Sequence, residues 1–151
     1  QLILKVDPAK TAGQGFGSAT GQYLDVCIQF DTRTLTGYGL RITRTVKNDS
    51  AVDFFLIKYE NGKTTAISQA VSSSCYLSTC TISLSMEGNK LKAHVETDAK
   101  QQRRAKADVL PDVNLEATVS PHSFGGVGIQ HVGSIGDSAT QLRSLLIKWN
   151  E

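Results

Sequence analysis

The sequence predicts an all-β protein made of two antiparallel sheets packed as a sandwich, and three observations predict it. Apolar and polar residues alternate with period two in segment after segment, as half-buried strands do. Two short Gly-containing pairs, Asn61-Gly62 and Gly88-Asn89, separate such segments in the manner of hairpin loops. No segment carries a convincing helical period, and many short strands at regular spacing argue for a sandwich or barrel.

In chain order, Leu2, Leu4 and Val6 mark a first strand that Asp7-Pro8 ends. The Gly-rich run 11–21 reads as loop. Leu24, Val26, Ile28 and Phe30 then make one inward face, leaving Tyr23, Asp25, Cys27, Gln29 and Asp31 on the other. Leu40 and Ile42 repeat the pattern with Arg41 and Thr43 outward, and a turn at 47–50 leads into Asp53–Tyr59. Asn61-Gly62 should form a type I′ turn that opposes Glu60 to Lys63, Tyr59 to Thr64 and Leu56 to Ile67.

The stretch Cys80–Glu96 fixes its own register. If Gly88 and Asn89 form the loop, Glu87 faces Lys90, Met86 faces Leu91, Leu84 faces Ala93 and Ile82 faces Val95. A one-residue slip would ruin every one of these matches. A polar loop at 98–112 follows, then a half-buried strand on Leu115, Ala117 and Val119. The glycines of 124–136 suggest bulges or close backbone approach within a strand. Leu145, Ile147 and Trp149 give a closing strand, with room for one helical turn at the start of 138–146.

At 151 residues and 40% hydrophobic, the chain suffices for one domain, 1–151, with a sizeable core. It starts at Gln1 and its one Met is Met86, which reads as a piece cut from a longer protein. No run approaches the ~20 apolar residues of a membrane span. A net charge of +2 is too mild to argue for nucleic acid. The basic run Lys100–Lys106 lacks interleaved aromatics and reads as a solvated loop. Cys75 and Cys80 have a spacing that can close a small disulfide loop, which would imply export. The alternative is two free thiols, with Cys80 in the core. No His or Cys pair has zinc-finger spacing.

The strand order resembles the concanavalin A-like lectin/glucanase superfamily, jelly-roll sandwiches that include laminin-G-like domains. The segments that carry the resemblance are Asp25–Phe30, GYGLRI at 37–42, the Asn-Gly hairpin, the Cys80–Val95 hairpin, FGGVGIQ at 124–130 and LLIKW at 145–149. It looks most like accessory modules of exported glycan-degrading proteins of gut Bacteroidetes, which implies a periplasmic or cell-surface location. The hydrolases of that family carry three carboxylates on one strand in a pattern like ExDxxE. Glu96-Thr97-Asp98 supplies two without the third, so their catalytic residues do not carry over. His94 beside Ser83 and Ser85 lacks the elbow that exposes a nucleophile. No catalytic residue and no cofactor are therefore assigned. Calcium, as held by some laminin-G-like relatives, has only Asp25, Asp31 and Asp137 as loose candidates.

What remains is a surface. Asp53–Tyr59 is apolar on both faces, with Phe54 and Leu56 on one and Phe55, Ile57 and Tyr59 on the other. Sugars take an aromatic plate against their C–H faces and amide, carboxylate or guanidinium groups for their hydroxyls. If the strands around 23–31, 38–45 and 53–59 are neighbours, Tyr23, Asp25, Gln29, Arg41, Thr43 and Tyr59 share one outer patch. Gln130 and His131 could join it. The expectation is a non-catalytic carbohydrate-binding or accessory module for an oligo- or polysaccharide. Its alternatives are a structural domain packed on other domains of the parent protein, and a divergent glycosidase.

Overall fold

The structure, a computed structural model, describes residues 1–7, 20–46, 51–77, 79–97, 112–123, 125–133 and 141–149. The basic run Lys100–Lys106, the 47–50 turn, most of the 11–21 loop, Asp98, Asp137 and the expected helical turn at the start of 138–146 lie outside these residues. Among the described residues no helix is long and apolar enough to cross a membrane.

The fold is an all-β sandwich of two antiparallel sheets. One sheet contains β1 (Leu2–Asp7), β7 (Cys80–Glu87), β8 (Lys90–Thr97), β9 (Val113–Thr118) and β11 (Gln141–Ile147), in the order β11-β1-β7-β8-β9. The other contains β2 (Tyr23–Asp31), β3 (Thr36–Thr43), β4 (Val52–Glu60), β5 (Lys63–Ala66) and β10 (Val127–Val132), in the order β10-β2-β3-β4-β5. The short β6 (Val71–Ser73) also pairs with β4. The first strand pairs with the last and the second with β10, the nested pairing of a rolled-up hairpin.

Period-two patterning explains the core. Leu2, Leu4 and Val6 from one sheet meet Leu24, Val26, Leu40, Ile42, Phe54 and Leu56 from the other, all fully buried or nearly so. The β7–β8 register is the expected one throughout, from Glu87 opposite Lys90 to Ile82 opposite Val95. A one-residue slip would turn Ile82 and Leu84 to water at roughly 2 kcal/mol each. Gly88 has a φ of 60° and takes the first loop position, where a type II′ turn needs a positive φ. Asn61 and Gly62, at φ 49° and 81°, make the I′ turn. Glu60 then faces Lys63 and Tyr59 faces Thr64.

Three expectations are corrected. Cys75 and Cys80 are free thiols, both fully buried; Cys75 opens a short 3-10 turn and Cys80 joins the core beside Ile82. Burial pushes the Cys75 thiol up to about 11 and raises Cys80 well above its ordinary value. On β11 only Ile147 packs on the core, while Leu145 and Trp149 are exposed, because β11 is an edge strand with β1 as its single neighbour. Phe30 does not face the core, for a reason that shapes the site.

Candidate functional site

The outer face of the β10-β2-β3-β4-β5 sheet carries a second apolar cluster, made of Cys27, Ile57 and Tyr59 with Phe30 and Phe55 against them. Phe30 belongs there because β2 bulges. Gln29 adopts a φ of 47°, and the β2–β3 register shifts between Ile28 and Asp31. One extra residue reverses the alternation, which turns Phe30 from the inner to the outer face. Its ring settles where two neighbouring strands have no side chain. A Cβ on Gly37 would come within 2.8 Å of the ring, and one on Gly128 within 3.0 Å. The Gly126 carbonyl accepts from the Phe30 amide at 3.2 Å, and a Cβ on Gly126 would meet the Phe30 carbonyl at 2.3 Å. Close backbone approach, expected from the glycines of this segment, is what they provide.

The polar half of the site sits beside this cluster. Register places Asp25 directly opposite Arg41 on β3 and Gln130 on β10. Asp25 is completely buried, and Arg41 grips it as a fork, Nε to Oδ1 and Nη2 to Oδ2, each at 2.8 Å. The guanidinium in turn lies 4.0 Å above the centre of the Tyr23 ring. From β4, Tyr59 stands opposite the side-chain-free Gly37 of β3, reaches across that strand and donates its hydroxyl to Asp25 Oδ2. Gln130 Oε1 lies 3.0 Å from the same hydroxyl. A phenol has one proton, and of its two acceptors the charged carboxylate makes the stronger bond. The Phe30 and Tyr59 rings meet edge to face at 5.4 Å between centres.

Burial and charge set the electrostatics. The hydrogen bonds to Asp25 hold the Arg41 guanidinium still further above its ordinary value. Burial first, then the Asp25 bond and charge, pushes the Tyr59 phenol above its ordinary value. Burial and the Asp25 charge push the Cys27 thiol to about 12, so it is a packed, protonated group and no nucleophile. The result is a groove of about 640 Å³ with a Phe30, Tyr59 and Cys27 floor, Arg41 and Tyr23 at one end, and Gln130, Ile129, Thr64, Thr32 and Leu35 along the rim.

Five of the eight residues expected in the patch come together here: Tyr23, Asp25, Arg41, Tyr59 and Gln130. Gln29 does not. The bulge sends its side chain away from the groove, and its Oε1 accepts from the His122 amide at 2.8 Å. His131 alternates to the other side of β10 from Gln130 and stays outside as well. Thr43 is outward, but its hydroxyl is engaged with the Gln22 carbonyl at 2.8 Å. Phe30, Leu35 and Thr64 were missed.

Both oxygens of Asp25 are occupied, so calcium there would compete with Arg41 and Tyr59. Asp31 accepts from the Arg33 amide at 2.9 Å and the Thr34 hydroxyl at 3.0 Å, which closes the β2–β3 turn and lowers its carboxyl below the ordinary value. On the other sheet Ser83 sits opposite His94, but the ring nitrogens of His94 approach Asn114 at 2.7 Å and Glu96 at 3.5 Å. Comparison of the chain with protein-family models, with curated proteins and with solved structures finds no match.

Proposed function

We propose that this chain is a non-catalytic carbohydrate-binding or accessory module, and that the outer groove of the β10-β2-β3-β4-β5 sheet holds an oligosaccharide without turning it over. One observation carries the reading: an apolar, aromatic floor lies beside a guanidinium already locked in place and an exposed amide. The C–H face of a sugar ring matches Phe30 and Leu35, and its hydroxyls match Gln130, Thr64 and the outer N–H groups of Arg41. Because Asp25 and Tyr23 fix Arg41 before a ligand arrives, little ordering cost is left to binding.

Holding is favoured over cutting because no carboxyl group lines the groove among the described residues, whereas glycoside hydrolysis ordinarily uses two. The kinship with concanavalin A-like jelly rolls and the exported location remain part of this proposal. The free state of Cys75 and Cys80 removes the residue-level argument for export. A second reading, a structural domain packed on a partner, is favoured by Leu142, Leu145, Leu146 and Trp149, all exposed on or just beyond β11.

A glycan array on the whole chain tests the two. The first reading expects binding to neutral oligosaccharides that Gln130→Ala and Leu35→Ala weaken at least fivefold, both substitutions being at exposed positions. Absence of binding to every neutral and acidic glycan would leave the structural reading.

A further inference from the structure

On the outer face of the other sheet, His94 and Glu96 stand two residues apart on β8 and so project to the same side. Asp112 immediately precedes β9, whose register sets Asn114 opposite His94 and Val113 opposite Val95. One ligand atom from each of His94, Glu96 and Asp112 lies within 4.8 Å of the others. We propose that these three side chains bind one divalent first-row transition-metal ion.

Asn114, which is not one of the three, supplies the independent reason. Its Oδ1 lies 2.7 Å from His94 Nδ1 and can only accept, which puts a ring proton on Nδ1. A metal-ligating histidine is held in this way, the nitrogen away from the metal donating to a fixed oxygen. In the neutral ring Nε2 then presents a lone pair, and it faces Glu96 Oε2 at 3.5 Å. A proton on Nε2 would pair the ring with Glu96, and a divalent ion would take that proton's place between the imidazole and the two carboxylates.

The next outward residue of β8, Lys92, leaves the site open because it pairs with Glu87 at 2.6 Å. One imidazole and two carboxylates suit zinc, cobalt or manganese better than calcium. His94 and Asn114 also border an open depression of about 430 Å³, from which water completes the coordination. The ion would tie the end of β8 to the start of β9.

Titration of the whole chain with zinc chloride, followed by calorimetry, tests the site. Expected is one saturable ion per chain, bound at least tenfold more weakly by His94→Ala, Glu96→Gln and Asp112→Asn. Asn114→Ala, which removes the positioning oxygen and no ligand, should weaken binding about tenfold. Cobalt chloride gives a second readout: weak visible bands from nitrogen and oxygen ligands, without the intense near-ultraviolet band of a thiolate. Failure of zinc to bind at millimolar concentration would overturn the proposal. So would binding that survives His94→Ala unchanged, or a thiolate band. Circular dichroism of each variant separates loss of the ion from loss of the fold.

Discussion

Tyr59, on β4, gives its phenolic proton to Asp25, on β2, reaching across β3, where the residue opposite Tyr59 is Gly37, without a side chain. This bond joins the aromatic floor of the groove to its buried ion pair. The shape of the groove and the position of Arg41 therefore depend on each other.

Removing one partner from this network should cost more than removing its accessory bond. Arg41→Ala leaves a fully buried carboxylate with only the phenol, and should destabilise the protein by about 3 kcal/mol. Tyr59→Phe keeps the ion pair and should cost about 2 kcal/mol. Urea unfolding of the two variants measures the order. Equal losses would mean that Asp25 is less dependent on its guanidinium than the geometry indicates.

Gly39→Ala should be poorly tolerated although β3 is an ordinary strand. The new Cβ would lie 2.7 Å from the Val26 carbonyl oxygen and 2.8 Å from Cys27 Sγ, and backbone cannot easily yield. A loss of about 2 kcal/mol is expected from overpacking. The denaturation midpoint reads it, and an unchanged midpoint would place Cys27 elsewhere.

Thiol counting tests the cysteines. In the native protein, Cys27, Cys75 and Cys80 are all buried and should react slowly with an aromatic disulfide reagent. In denaturant without reductant all three should react. One reactive thiol would instead indicate a Cys75–Cys80 disulfide.

Stability should fall on the alkaline side. Cys27, Cys75, Cys80 and Tyr59 all have folded-state values raised above those of the unfolded chain, near 9 for the thiols and near 10 for the phenol. Above those values the unfolded state loses protons that the folded state keeps, so each rise in pH favours unfolding. The contribution of these groups is complete below pH 9. Most of the Cys75 and Cys27 share is lost as pH climbs to about 11 and about 12. Cys27→Ala should flatten the slope of unfolding free energy between pH 9 and 11.

The sandwich was legible because each strand needs only its own alternation to declare a face. The β7–β8 register followed from local matching around Gly88-Asn89. The patch was partly legible for the same reason, since Asp25, Arg41 and Tyr59 are outward by simple parity. Parity failed at Gln29. The sequence alternates without interruption through Phe30, and the vacancies that draw its ring outward, at Gly37 and Gly128, are neighbours only after β3 and β10 have paired with β2. Parity puts His94 and Glu96 on one face of β8, but Asp112 joins them only through the β8–β9 register. Long-range pairing, which no local pattern contains, separates what could be read from what could not.

The most direct test of the groove is a nuclear magnetic resonance titration of the ¹⁵N-labelled chain with a neutral oligosaccharide selected from the array. Shifts should be confined to the amides around Phe30, Leu35, Arg41, Thr64 and Gln130, and the sugar should be recovered uncut. Shifts centred on the opposite sheet, or release of shortened sugar, would contradict the assignment of this face as a site that holds without cutting.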